Sequence, residues 1–345
     1  MTIRFATPEE RNGWNARILA NPDGGNIFQG AEFAEQKEYG DWTSRFVVAG
    51  DVSVTVLEKR FLGIYKLWYI PKGPGVNSFE SLNELLPKLK RFAQKHGVFA
   101  IKIEPELIKT DDITREFANR GFVPVRAIQP NFSTVLVDIS GSPDEVLARL
   151  NQKGRHAIRR AERDGATVKR VEATHENCRK MYNLLAETAE GSFLIRPFEY
   201  YEEFWQRYAK TELGQLFFAY DGERVVAAAF AIRFGKKGTY KDGASVRERS
   251  IYGASHLLQW HVILWMKENG VEIHDLCGAP PSDKINDETH PHYGIGRFKT
   301  SFNKQVTDYV GAYDIVVHPL VYKIWRAIGE RLVHKFATAR GGSFY

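Results

Sequence analysis

A repeat at an offset of about 171 residues constrains this chain more than any single motif in it. Arg45-Phe-Val-Val-Ala-Gly-Asp51 aligns with Leu216-Phe-Phe-Ala-Tyr-Asp-Gly222, and each reads as a strand entering a hairpin turn with a second apolar strand behind it. Tyr69-Ile-Pro-Lys-Gly73 and Tyr240-Lys-Asp-Gly243 keep the same offset. A helical stretch with a leucine pair follows each, Leu85-Leu86 and Leu257-Leu258, and each closes on a glycine, Gly97 and Gly270. A short apolar strand ending in an acid comes next, at Glu104 and at Asp275. Four matches in order predict a duplicated α/β (α+β) unit of the acyltransferase type, with mixed strand pairing. A doubly wound nucleotide fold is not expected, because neither a Gly-x-x-x-x-Gly-Lys-Ser/Thr loop nor a Gly-x-Gly-x-x-Gly turn is present. The 345 residues suit two domains. The division is expected near Ser140-Gly-Ser-Pro143, where Ser142, Pro143 and Glu145 form an N-cap, an N1 proline and a capping-box partner.

Charge is concentrated rather than spread. Eight Lys/Arg face two acids between Arg149 and Arg170, which accounts for the whole formal charge of +6. The segment reads as one helix from Pro143 toward Asp164, with Leu147, Leu150, Gly154, Ala157, Ile158 and Ala161 on the inner side. Arg149, Lys153, Arg155, Arg159, Arg160 and Arg163 occupy much of the rest, a pattern suited to phosphates. Gly154 is expected to mark a break. A second amphipathic helix, Pro319 to Ala337, carries Leu320, Ile324, Ile328, Leu332 and Phe336 and is expected to pack back on one domain; residues 340–345 read as a loose tail. Two cysteines, Cys178 and Cys277, exclude a disulfide framework and point to a reducing, cytoplasmic setting.

Most familiar chemistry is absent: no zinc pattern, no Gly-x-Ser-x-Gly elbow, and a lone Cys277 that reads as packing. An acyl-CoA pyrophosphate loop would fall on Arg247 to Ala254, which has one glycine and an acid in the loop. What remains is chemistry by positioning, with cations and N–H donors stabilising developing negative charge.

The motifs together resemble the Fem (FemABX) family of peptidoglycan-bridge aminoacyltransferases. The pieces are Asn26-Ile-Phe-Gln29 with Lys37-Glu-Tyr-Gly40, Lys72-Gly-Pro-Gly75, Lys153 to Gly165, Tyr200-Tyr201, Tyr240-Lys-Asp-Gly-Ala-Ser245, His274-Asp-Leu-Cys-Gly278 and Gly296-Arg-Phe-Lys-Thr-Ser-Phe302. The resemblance implies two tandem GNAT-like domains of the short, armless type, spanning 1–140 plus 317–345 and 141–316, with the C-terminal helix completing the first. It implies transfer of an amino acid from aminoacyl-tRNA to a stem-peptide amine of UDP-MurNAc-pentapeptide or a lipid-linked precursor, by a monomer with no cofactor beyond aminoacyl-tRNA as co-substrate and with a peripheral membrane contact. Lys37 resembles a lysine at the precursor phosphates, Lys236 stands where the family has a phosphate-binding arginine before Tyr240, and Lys299 matches a lysine near the tRNA 3′ end. Phe298 and the basic Lys153, Arg155, Arg159, Arg160 and Arg163 fall on the tRNA side, and no metal is implied. His274 departs from the family's tyrosine before Asp275.

The ester of an aminoacyl-tRNA is already activated, whereas an acceptor amine of pKa about 10.4 must lose a proton before it attacks. Asp275, Glu104 or the substrate itself is the acceptor of that proton, and Lys299 the cation for the oxyanion. Three other readings stay open: tailoring of a nucleoside or peptide antibiotic from the same donor, a non-catalytic RNA- or membrane-surface-binding module, and an acyl-CoA N-acyltransferase.

Overall fold

A computed structural model describes residues 2–61, 63–129, 131–189, 195–248 and 251–339, so the expected tail at 340–345 lies outside the described residues. The chain forms two compact units, residues 1–132 with 308–345 and residues 133–307.

The first unit holds a seven-stranded sheet of order β1-β2-β3-β4-β5-β14-β6. Its strands are β1 (Ile3–Phe5), β2 (Thr43–Ala49), β3 (Val52–Phe61), β4 (Tyr65–Ile70), β5 (Val98–Ile103), β6 (Val123–Val125) and, from the far end of the chain, β14 (Ala312–Val316). The second has the order β13-β7-β12-β11-β10-β9-β8. These are β7 (Ser133–Asp138), β8 (Thr167–Val171), β9 (Gly214–Asp221), β10 (Arg224–Phe234), β11 (Lys237–Ser245), β12 (Ile273–Gly278) and the two-residue β13 (Thr307–Asp308).

The duplicated motif is plain in both sheets. The β2–β3 and β9–β10 hairpins turn on two residues opened by a glycine at positive φ, Gly50 at 59° and Gly222 at 57°. In each unit the third strand then pairs in parallel with the fourth, β4 with β5 and β11 with β12, across a helical crossover. The crossover helix of the first unit, Phe79–Lys95, starts at the Ser78 N-cap and buries Leu82, Leu85, Leu86, Leu89 and Ala93 at helical spacing. They pack on Val54, Val56, Trp68 and Ile70 of the sheet. The corresponding helix of the second unit, Ala254–Glu268, is buried on most of its surface.

Both expected boundaries move. Residues 133–138, assigned from sequence to the first domain, form β7 and pair antiparallel with β12 of the second sheet. Residues 312–316, assigned to the second, form β14 and pair with β5 and β6 of the first. Each unit thus takes the strand beside its parallel pair from outside the duplicated segment. The charge partner is built in: Lys102 on β5 lies 3.1 Å from Asp314 on β14, both buried.

The basic segment is two helices, not one. Pro143–Arg149 begins with the expected capping box between Ser142 and Glu145 and ends at Leu150; Asn151 then caps Gln152–Arg163. The break is at Leu150-Asn151 rather than at Gly154. The C-terminal helix also differs: Pro319–Ile324 and Glu330–Ala339 are joined by a π turn at Trp325–Gly329. Val321, Tyr322 and Trp325, not the expected leucine–isoleucine stripe, pack on Leu67, Phe99 and Ala100. The Phe336 side chain lies outside the described residues.

Candidate active site

In the second unit, the end of β12 makes a seat for Lys299. Asp275 is buried, and its Oδ1 accepts hydrogen bonds from Thr134 Oγ1 at 2.5 Å and the Cys277 N–H at 2.8 Å, while Oδ2 lies 3.6 Å from Lys237 Nζ. Cys277 has φ of 58°, a left-handed conformation that costs a side-chain-bearing residue about 1–3 kcal/mol and that the bond to Asp275 holds in place. The pairing of β12 with β7 breaks register over the same residues. The result is that two consecutive carbonyls face one ammonium: Lys299 Nζ donates to Cys277 O at 3.0 Å and to Gly278 O at 2.7 Å. An ammonium has three N–H donors, so this seat leaves one for a substrate oxygen. Burial pulls the Lys299 pKa below its ordinary value, against the opposing pull of Cys277 and Asp275.

The strand of chain that carries Lys299 is pinned on several sides. Asn151 Nδ2 donates to Thr300 O at 3.1 Å, Asn303 Nδ2 to Leu136 O at 2.7 Å, and His256 Nε2 lies 3.0 Å from Ser301 Oγ. Gly154 explains itself here: a Cβ at that position would stand 2.3 Å from Ser301 O, so the helix can approach only with glycine. Gly253, at φ 85°, likewise meets the Ala157 carbonyl, whose oxygen would be 2.2 Å from a Cβ. Arg249 and Ser250 of the loop considered for CoA lie outside the described residues.

Behind the seat, His274 is fully buried with Nε2 3.1 Å from Gln259 Oε1 and, among the described residues, no hydrogen-bond partner for Nδ1. Burial, reinforced by Lys299, pushes its pKa down to about 3, so the imidazole is neutral. Tyr240 sits over Gly243, where a Cβ would be 1.6 Å from its hydroxyl oxygen; burial drives its pKa up.

Other expected site residues are placed differently. Lys236 lies at the β10–β11 turn with an exposed side chain paired to Glu272, so it does not enter the seat. The lysine that does turn inward is its neighbour Lys237. Strand alternation carries the signal that was missed, since Lys237 shares its face with Thr239, the partner of Asp275. Arg155 donates to Ala148 O and Leu150 O and closes the junction between the two basic helices rather than joining an open face. Arg160 pairs with Asp164 at 3.3 Å and lies over Tyr252; Arg163 is 3.9 Å from Asp164. Lys153 and Arg159 are exposed and make no ion pair among the described residues. Phe298 packs against His256 and Phe302 at ring distances of 4.9 and 5.5 Å.

The first unit has its own polar centre. Glu104 is buried at the end of β5, where it accepts hydrogen bonds from Tyr69 Oη at 2.7 Å, Ile128 N at 2.5 Å and Gln129 N at 3.2 Å. Burial raises its pKa, against the pull of Lys72 and these donors. Lys72, to which sequence reasoning gave no role, is buried at φ 49°, donates to Asn131 O at 2.8 Å and lies 3.9 Å from Glu106. Glu104 and Lys72 lie along a shallow surface depression with Gln129, Phe132 and Tyr309. Lys37 is buried in the last turn of helix Ala31–Tyr39, with Nζ 5.3 Å from the centre of the Phe33 ring.

Residues 120–220 and 209–330 match the FemAB family. The chain is 24% identical, over an alignment 403 positions long with gaps, to the lipid II:glycine glycyltransferase of Staphylococcus aureus strain MRSA252, covering 92% of this chain and 94% of that protein. The crystal structure of FemX shares the fold with a TM-score of 0.79 and 21% identity, over 94% of this chain and 99% of that one. The structure of L-PGS from Bacillus licheniformis is more distant, with a TM-score of 0.53 and 16% identity over 94% and 98% of the two chains. The tandem α/β architecture is thus that of FemX, and the chain belongs to the FemAB family.

Proposed function

We propose that this protein is an aminoacyltransferase of peptidoglycan bridge formation, moving an amino acid from aminoacyl-tRNA to the stem-peptide amine of a lipid-linked precursor. The observation that carries the reading is the Lys299 seat, a buried ammonium with one donor left, in a chain that aligns along nearly its full length with relatives named lipid II:glycine glycyltransferase. The acceptor nitrogen attacks the ester carbonyl; the new C–N bond forms, the bond to the tRNA ribose oxygen breaks, and the amine proton ends on that oxygen. Lys299 stabilises the oxyanion of the tetrahedral intermediate. Asp275 acts through the backbone by holding the Cys277 turn. A carboxylate or the substrate itself relays the amine proton to that oxygen. Neither a metal nor another cofactor is needed, because the ester is activated. Lys153, Arg159, Arg160 and Arg163 provide the basic face for the tRNA.

The test is transfer of radiolabelled amino acid from a mixed aminoacyl-tRNA pool to lipid II, to UDP-MurNAc-pentapeptide, or from acyl-CoA to either. Label from tRNA on lipid II is expected. Label only on the UDP-linked precursor would move the acceptor to the soluble form, and transfer from acyl-CoA alone would overturn the reading.

A further inference from the structure

The C-terminal helix is apolar on two sides. Val321, Tyr322 and Trp325 are spent on the first sheet, yet Leu320, Ile324, Ile328 and Leu332 stand 72%, 50%, 56% and 47% exposed. A helix that only needed to pack on a sheet would be polar on its outer side. The four residues recur every fourth position, and the wider π turn at Trp325–Gly329 counters the sideways drift that such a row has on a regular helix. Ile64, at 70% exposure, adds a fifth apolar residue at the β3–β4 hairpin, beside Tyr65, whose ring lies 6.5 Å from that of His318 just before the helix. Scattered exposed apolar residues are ordinary, but a continuous row is a contact surface.

Charge selects the occupant. Lys323, Arg326, Arg331 and Lys335 are exposed along the same helix, against one acid, Glu330, which Arg326 engages at 2.9 Å. A second copy docking through the same row would set like charges against each other. We propose that the row is a docking surface for an anionic phospholipid bilayer, with the leucine and isoleucine side chains at the acyl boundary and the four cations at the headgroups. The inference deepens the proposed function, since an enzyme acting on a lipid-linked acceptor must meet it at a membrane surface.

The test uses the full chain with vesicles of phosphatidylcholine alone or mixed with phosphatidylglycerol, in co-sedimentation. Binding to the anionic vesicles is expected, weakening with salt and falling at least tenfold in the double variant Ile324→Ser, Ile328→Ser, with an unchanged melting temperature. Transfer to detergent-solubilised lipid II by that variant, with no vesicle present, is expected at the wild-type rate. Equal vesicle binding by variant and wild type, no binding by wild type, or a wild-type dimer abolished by the same substitutions would each overturn the inference. Absent transfer by wild type would count against the proposed function instead, leaving the vesicle result to decide this one.

Discussion

At the scale of single residues, the second unit spends a carboxylate on geometry. Asp275 is consumed by Thr134, by the Cys277 N–H and by the nearby Lys237, and its product is a left-handed turn that aims two carbonyls at Lys299. The sequence pointed to Asp275 and Lys299, because an acid at a strand end and a lysine in a short motif are local features. It named Lys236 and passed over Lys237, and strand alternation puts the two on opposite faces, Lys236 paired with Glu272 in solvent and Lys237 beside Asp275. The neutral His274 behind the seat makes a pH prediction. Its folded pKa of about 3 lies below the ordinary 6.5, so within that window the unfolded chain binds a proton that the folded chain refuses. Stability therefore falls as pH drops from 6.5 toward 3, by up to about 1.4 kcal/mol per pH unit from this group. In His274→Gln the melting temperature should fall less steeply than in wild type between pH 6 and pH 4; parallel curves would show that His274 does not drive the acid response.

Elements are where close approach decides the outcome. As a break in a solvated helix, Gly154 would be improved by Ala, by about 1 kcal/mol. Its contact with Ser301 O reverses the sign: Gly154→Ala should destabilise by roughly 1–3 kcal/mol and displace the segment that carries Lys299. Denaturant unfolding distinguishes the two, since the signs are opposite. The C-terminal helix teaches a related lesson. Its sequence offers two apolar rows, and hydrophobic spacing alone favoured the longer one. The structure buries the row with Tyr322 and Trp325, because Tyr322 can also donate to Asp314 at 2.9 Å and so complete the buried pair with Lys102. Tyr322→Phe should accordingly lower stability by about 1.5–3 kcal/mol, the range for a hydrogen bond to a charged group. A change within a few tenths of a kcal/mol would mean that packing alone holds the helix. The Ser142 capping box and the glycine hairpins were readable in advance, because each is settled within a few residues.

For the whole molecule, the repeat made the α/β class legible, since both copies keep the order hairpin, strand, helix, parallel strand. The placement of β7 and β14 was not legible, because pairing with a strand distant in sequence leaves no local mark. The basic segment was legible as charge but not as a surface: Arg155 is taken up by the helix junction, while Lys153 and Arg159 stay open. The central claim is that the cation seated on the Cys277 and Gly278 carbonyls serves transfer from aminoacyl-tRNA. Its most direct measurement is the single-turnover rate of transfer from aminoacyl-tRNA to lipid II by wild type and by Lys299→Met, with the fold checked by thermal melting. The account predicts a rate loss of about 10²–10³-fold alongside a stability loss of only about 1–3 kcal/mol from the two carbonyls left unpaired. A folded Lys299→Met enzyme that transfers at the wild-type rate would contradict it.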